Sequence, residues 1–130
     1  MGDREFLVGL VRRFRENSVG FFRAYRWFIA VFIISLLCDA VSTVRFMVRD
    51  GTDGELHLMV RMFAGFFGPV AGPFVGAASK AVIGIGVAIL LRKYAICIFV
   101  AASVISLWAG WYNEWGGDIY TPVIFHFLLW

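Results

Sequence analysis

Charge, cysteine and proline are all scarce in this chain of 130 residues. Only 16% of its residues are charged, while 61% are hydrophobic and the mean hydropathy is +0.81. A soluble domain is typically about 45–50% apolar, so this chain has too few polar side chains to cover a water-exposed surface. The composition therefore excludes an ordinary soluble domain and favours an integral membrane protein.

The two cysteines, Cys38 and Cys97, are too few for a disulfide scaffold and form no C-x-x-C motif. Both stand within apolar runs, so we expect them to be buried and to pack as small hydrophobic side chains. The chain also lacks a G-x-S-x-G nucleophile motif, a Walker loop and a Rossmann glycine fingerprint. No motif therefore indicates a hydrolase, a nucleotide-binding protein or a particular cofactor.

Positive charge is concentrated near the N-terminus. Residues 1–26 hold six of the twelve Lys and Arg residues, and such a cluster before a first span is typical of a cytoplasmic flank. We therefore expect a protein of the bacterial or archaeal cytoplasmic (inner) membrane with a cytoplasmic N-terminus. Nothing else in the chain supplies a nucleic-acid-binding module, so no nucleic acid partner is predicted.

The same segment, residues 1–26, has apolar residues at helical spacing. They are Phe6, Leu7, Leu10, Val11 and Phe14, and most of the arginines lie off their stripe. This pattern indicates an amphipathic interfacial helix, with arginines against anionic headgroups of the lipid bilayer and apolar side chains in the acyl boundary. A helix that packs on a protein partner is the alternative.

Residues 27–115 are predicted to form an all-α transmembrane domain with three full spans, expected at residues 27–48, 73–91 and 94–112. As a helix, each segment has roughly the length needed to cross a hydrocarbon core of about 30 Å. Residues 56–70 are apolar but short, which favours a half-span or a re-entrant helix. The sequence around Pro69 and Pro73 should break the helix after it, and residues 116–130 should form a short interfacial segment.

The orientation of the later spans depends on residues 56–70. If this segment does not cross the membrane, Arg92 and Lys93 return to the side of the N-terminal arginines. If it crosses, they face the opposite side. The positive-inside rule favours the non-crossing arrangement.

An acidic residue lies within the first span. On a helix, Asp39 shares one face with Ser42 and Thr43. A charged side chain in hydrocarbon costs at least about 2.5–3.5 kcal/mol, so Asp39 should face protein or water. Lys80 is its expected partner, in a structural clamp or an ion route, although Lys80 could instead lie at the membrane boundary and extend to the headgroups.

Small residues at intervals of four flank Lys80 and predict close helix packing. They are Gly72, Gly76, Gly84 and Ala88, and a similar stripe in the last span contains Ala102, Ser106 and Gly110.

Three more polar residues follow the first span. Glu55 and His57 are weak candidates to join Asp39 in a metal site, but Glu55 fits the cap of a helix N-terminus better. Arg61 could pair with Glu55 or Asp39, or extend to the headgroups. The predicted polar cluster is therefore Asp39, Ser42, Thr43, Glu55, His57, Arg61 and Lys80.

The order Asp39-x-x-x-Thr43, Glu55-x-His57 and Lys80 resembles a pattern in a family of small bacterial and archaeal membrane proteins of unknown function. That family has Asp and Thr late in the first span, a Glu-x-Asn-Pro or Glu-x-His-Pro turn, and a Lys in a later span. The resemblance covers roughly residues 28–92, with Leu58 where the family has Pro. It implies a compact helical membrane domain whose polar residues converge, and it implies no biochemical function.

Three functions are compatible with these features. The leading hypothesis is a non-enzymatic small subunit or homo-oligomeric component of a membrane assembly, which packs through its small-residue stripes and aromatic surfaces. The second is translocation of a proton or small cation through Asp39 and Lys80, because intramembrane carboxylates mark such routes. The third is a metal-dependent or hydrolytic intramembrane enzyme that uses His57.

Overall fold

The computed structural model describes residues 2–52 and 57–115, which are almost entirely helical. The helices are α1 (Gly2–Ser18), α2 (Phe21–Asp50), α3 (Leu58–Leu90) and α4 (Ala95–Trp115), with a 3-10 turn (Arg92–Tyr94) before α4. Within this part of the chain, three helical segments are long and apolar enough to cross a membrane: α2, α3, and α4 with its preceding turn. The predicted all-α class is confirmed. The interfacial segment predicted at residues 116–130 lies outside the described residues.

The turn between α1 and α2 comes earlier than the sequence pattern suggests. Gly20 has a φ of 69°, a left-handed conformation that suits glycine and lets the chain turn between the two helices. α2 therefore starts at Phe21 rather than near Trp27. Phe21 is fully buried against the ring of Phe99, which explains why the helix extends this far.

α3 folds back on itself at Gly68. The backbone there leaves the helix, with φ 86° and ψ 167°, and the following Pro69 disfavours a helical conformation in the residue before it. A Cβ atom on Gly72 would overlap the backbone of Ala64, eight residues earlier in the chain. A Cβ atom on Gly76 would lie 3.3 Å from the side chain of Val60. Residues 58–67, the short arm, therefore pack antiparallel on residues 69–90, the long arm.

The break in α3 is shorter than expected. We predicted an interruption that includes both Pro69 and Pro73, but the helix resumes at once and both prolines lie in the first turns of the long arm. Pro69 takes the first helical position, which suits proline because the N–H it lacks has no partner there. At 1.5 Å per residue the short arm is about 15 Å long and the long arm about 33 Å. Only the long arm matches a hydrocarbon thickness of about 30 Å.

α2 is the central element of the bundle. It packs against both α3 and α4, which contact each other much less. Phe32 of α2 meets Phe99 early in α4, and Arg45 meets Glu114 at the end of α4, so the two helices run parallel. The long arm runs antiparallel to α2, since Gly84 faces Phe32 and Lys80 faces Asp39.

Neither cysteine is buried, so the prediction of buried cysteines is wrong. Cys38 and Cys97 are both exposed free thiols. The inward-facing positions beside Cys38 are taken by Asp39 and Ala40, and those beside Cys97 by other small or aromatic side chains of the core. Each cysteine is therefore on the outward-facing side of its helix.

The N-terminal helix is fastened to the turn before α4. Arg92 Nη1 donates hydrogen bonds to the carbonyl oxygens of Asn17 and Val19, both at 2.9 Å. Asn17 Nδ2 donates to the carbonyl oxygen of Leu90 at 3.2 Å. α1, the first turns of α2 and the Arg92–Tyr94 turn thus form one end of the bundle, here named the basic end. This is the arrangement expected if residues 56–70 do not cross.

The fold-back of α3 leads us to predict that Gly72 does not tolerate a larger side chain. Gly72→Ala should destabilise the protein by about 2–3 kcal/mol, because the new methyl group would push the short arm away from the long arm. Gly86→Ala is the matched control, since a Cβ there has nothing within 4 Å and alanine favours a helix by up to about 1 kcal/mol. Unfolding in mixed detergent micelles measures both. Equal stability of the two variants would contradict the fold-back.

Candidate functional site

Asp39 and Lys80 form an ion pair between α2 and the long arm. Lys80 Nζ donates a hydrogen bond to Asp39 Oδ2 at 3.1 Å. The Asp39 side chain is 10% exposed and that of Lys80 is 34% exposed. The structure therefore brings together the two charges that the sequence placed on different spans. Lys80 is the more exposed partner and lies on the outer side of Asp39.

Small residues allow the helices to approach each other around this pair. Gly110 of α4 lies against Asp39, where an added Cβ would be 3.4 Å from the Asp39 Cα. Gly84, one turn along the long arm from Lys80, lies against the Phe32 ring, which an added Cβ would approach to 2.8 Å. Close approach lets Asp39 sit between two neighbouring helices with little exposure.

The hydroxyl groups of Ser42 and Thr43 form no hydrogen bond with the carboxylate of Asp39. Asn113 of α4 donates its amide Nδ2 to Thr43 Oγ1 at 2.8 Å and to Ser42 Oγ at 3.3 Å. Ser42 Oγ in turn donates to the backbone carbonyl of Asp39 at 2.8 Å. The polar face of α2 is thus divided, because Asp39 bonds to the long arm while the two hydroxyls bond to α4.

His57 is the third ionisable group at this level of the bundle. It precedes the short arm, and its partly buried imidazole lies within electrostatic range of both Lys80 and Asp39. The fold-back of α3 explains this proximity, since it brings the start of the short arm beside the middle of the long arm. Asp39, Lys80 and His57 together are named the polar centre below.

Four members of the predicted cluster remain, of which Ser42 and Thr43 bond to α4 as described above. Arg61 is exposed on the short arm, and it takes part in none of the ion pairs found within residues 2–52 and 57–115. Glu55 lies outside the described residues. Within the described ranges no group of three or more His, Cys, Asp or Glu side chains could hold a metal ion. Of the proposed metal set, Asp39 and His57 lie near each other, and Glu55 is outside the described residues.

The small-residue stripe of α3 meets two different neighbours. Gly72 and Gly76 face the short arm, whereas Gly84 faces α2 and Ala88 is fully buried in the main core. On α4, Ser106 and Gly110 are buried and Ala102 is partly buried against the core. Both stripes lie in helix contacts, but Gly72 and Gly76 of the first one pack against the short arm of the same helix.

The layer of the core nearest the basic end is apolar. Phe21, Phe32 and Phe99 are at most 2% exposed, and their rings lie in contact, with centroids 5.6 Å apart for Phe32 and Phe99. Ala88, Ile89 and Ala95 complete this layer. Three buried hydroxyls lie between this layer and Asp39: Ser35 of α2, which bonds to the carbonyl oxygen of Phe32, and Ser103 and Ser106 of α4. Among the described residues, none of the three has a hydrogen bond to the Asp39 side chain, whose partner is Lys80.

Sequence reasoning missed three residues that hold the structure together. The α4 stripe leads to Asn113, three residues after Gly110, but its bonds to Ser42 and Thr43 were not predicted. Glu114 pairs with Arg45 at 3.1 Å, and the only signal for that contact is its opposite charge. Arg92 was assigned to a flank, and its bonds to the end of α1 have no signature in sequence.

Comparisons with models of protein families, with curated proteins and with solved structures gave no match to this chain. The resemblance based on Asp39, Thr43, His57 and Lys80 therefore stays a prediction.

A double-mutant cycle tests the ion pair. Lys80→Met and Asp39→Asn should each destabilise the protein by about 3 kcal/mol, because each leaves one charge without its partner. The double variant should recover most of that loss, since both charges are gone and the side-chain volumes are kept. Unfolding free energies of the three variants and the wild type in mixed micelles give the coupling energy between Asp39 and Lys80. Additive losses in the double variant would mean that the two side chains do not interact.

Proposed function

We propose that this chain is a small integral membrane protein that acts as a non-enzymatic component of a membrane assembly. In this proposal the Asp39–Lys80 pair is a lock that holds the long arm of α3 against α2. The observation that carries the proposal is the placement of the polar centre above a closed aromatic layer. A pair that is sealed on one side and bonded to its own helices is suited to holding helices together.

Helix geometry supports a particular depth for the pair. The Arg45–Glu114 ion pair is exposed, which suits the hydrocarbon boundary opposite the basic end. Asp39 precedes Arg45 by six residues and so lies about 9 Å deeper. A hydrocarbon thickness of about 30 Å then places the other boundary near Tyr25, between Arg23 and Arg26. Both groups of charges thus fall at membrane surfaces.

This placement makes the short arm of α3 a re-entrant helix. It would begin at the depth of the polar centre, beside His57, and reach the side of Arg45 and Glu114 at Gly68. Three helices would then cross completely: α2, the long arm and α4. The basic end would be cytoplasmic by the positive-inside rule, in the cytoplasmic membrane of a bacterium or archaeon.

The exposure of Lys80 favours an assembly over a lone chain. One third of its side chain is uncovered although it lies at the depth of Asp39, and charged side chains at such depth face protein or water rather than lipid. A second copy of this chain or another subunit would cover it. α4 offers further contact area, since its buried residues form one narrow stripe and its other faces are apolar and exposed.

The oligomeric state tests this proposal. Purified in a mild detergent and reconstituted in nanodiscs, the wild-type protein should form a discrete oligomer or retain a partner chain. Native mass spectrometry measures the number of chains per particle. A stable monomer without a partner in both environments would contradict the proposed role.

Translocation of a proton or small cation is the competing function, and the apolar layer argues against it. Liposomes containing the protein should show no proton or sodium flux above that of liposomes with Asp39→Asn protein. A dye that reports internal pH, with a separate sodium-sensitive dye, measures the flux under an imposed gradient, and an added ionophore is the positive control. A flux in wild type that the substitution abolishes would replace the proposed role with translocation.

A further inference from the structure

Among its described residues, the basic end carries far more positive than negative charge. Its described basic residues are Arg12, Arg13, Arg15, Arg23, Arg26, Arg92 and Lys93, against Glu5 and Glu16. All of these cations except Arg92 are exposed. The one ion pair found among the described residues of this end joins Arg12 to Glu16 at 3.9 Å, with both side chains largely exposed. Such a pair contributes little.

At the opposite end of the bundle, two arginines have acidic partners. There Arg45 pairs with Glu114 at 3.1 Å, and Arg49 pairs with Asp50 at 2.7 Å. Arg45 and Arg49 therefore have acidic partners within the chain. Among the described residues of the basic end, by contrast, Arg13, Arg15, Arg23, Arg26 and Lys93 take part in none of the ion pairs found. The described part of the basic end thus has more unpaired positive charge than the opposite end, where Arg61 is outside the ion pairs.

The segments that carry the cations of the basic end are held in a fixed arrangement. Arg92 bonds to the carbonyl oxygens of Asn17 and Val19, and Asn17 bonds back to Leu90. These contacts, here named the clasp, join the end of α1 to the turn between α3 and α4. Charges on three separate helices are thus presented together rather than on an independent N-terminal arm.

Apolar and aromatic side chains accompany these charges. Trp27 is largely exposed with the Arg26 guanidinium 5.3 Å from its ring centroid, and Lys93 lies 5.7 Å from the ring of Tyr94. Phe6, Leu7 and Val11 are exposed on α1. Amphipathic aromatics beside cations are typical of the headgroup level of a bilayer, and exposed apolar side chains on a basic helix suit the acyl boundary.

We infer that the basic end is a docking surface for the headgroups of anionic phospholipids, formed jointly by α1, the start of α2 and the Arg92–Tyr94 turn. The partner is a lipid rather than an acidic protein, because the surface combines phosphate-binding guanidinium groups with side chains suited to acyl chains. This inference rests on the proposed membrane placement but not on the proposed oligomer, so a monomer could still bind lipid in this way.

Lipid titrations of the full-length protein test the docking surface. In detergent, native mass spectrometry should show tighter binding of phosphatidylglycerol than of phosphatidylcholine. Arg13→Gln/Arg23→Gln should weaken phosphatidylglycerol binding by about 25-fold, since each basic residue near an anionic surface contributes about five-fold. Arg49→Gln/Arg61→Gln removes the same charge from the other end and should leave binding within about two-fold of wild type.

Three results would overturn the inference. They are equal binding of the two lipids by wild type, equal losses in the two double variants, and displacement of phosphatidylglycerol by an acidic peptide at matched charge. Sodium phosphate at moderate concentration should not compete beyond the effect of its ionic strength. Specific competition by it would mean an inorganic phosphate site instead.

The clasp has a matched pair of variants of its own. Arg92→Gln and Lys93→Gln each remove one positive charge, but only the first breaks the bonds to Asn17 and Val19. In nanodiscs with phosphatidylglycerol, Arg92→Gln should speed amide hydrogen exchange in α1 several-fold more than Lys93→Gln. Unchanged exchange in α2 and α4 shows that the bundle is folded. Equal exchange in the two variants would overturn the fixed arrangement.

Discussion

The proposed membrane placement puts the Asp39 carboxylate about 9 Å inside the hydrocarbon, where it needs an opposite charge, and the ammonium group of Lys80 lies 3.1 Å from it. The long arm of α3 can meet this requirement only at one height and one rotation relative to α2. At that position Gly84 lies against Phe32, and Gly72 and Gly76 are left facing away from the pair. The short arm fills the space that these two glycines leave, so the fold-back and the ion pair are parts of one arrangement.

The polar face of α2 connects it to both neighbours at similar height. Asp39 bonds to the long arm, whereas Ser42 and Thr43 bond to Asn113 of α4. α3 and α4 contact each other little. The position of one relative to the other therefore depends largely on the bonds that each makes with α2. In lipid, where apolar burial drives helix association weakly, such polar links and close packing at small residues carry more of the stability.

The sequence was sufficient for the class of fold and for the charge pair, but not for the route of the chain. Two opposite charges in separate apolar segments have few other partners, so Asp39 and Lys80 could be matched. Ser42 and Thr43 could not be assigned, because positions three and four residues after Asp39 are rotated to either side of it and spacing does not reveal which helix lies there. The pivot at Gly68 could not be chosen either, since Gly65, Gly72 and Gly76 stand nearby and only the folded backbone has the positive φ.

The mirrored contacts of the two arms limit how α3 can change length. Val60 and Ala64 of the short arm meet Gly76 and Gly72 of the long arm, at matching distances from Gly68. One inserted residue between Ala64 and Gly68 would turn the short arm by about 100° and move it by about 1.5 Å. Val60 and Ala64 would then leave the glycines, and His57 would leave the level of Lys80. Residues 57–80 therefore tolerate substitutions on their outward faces far better than insertions or deletions of any size.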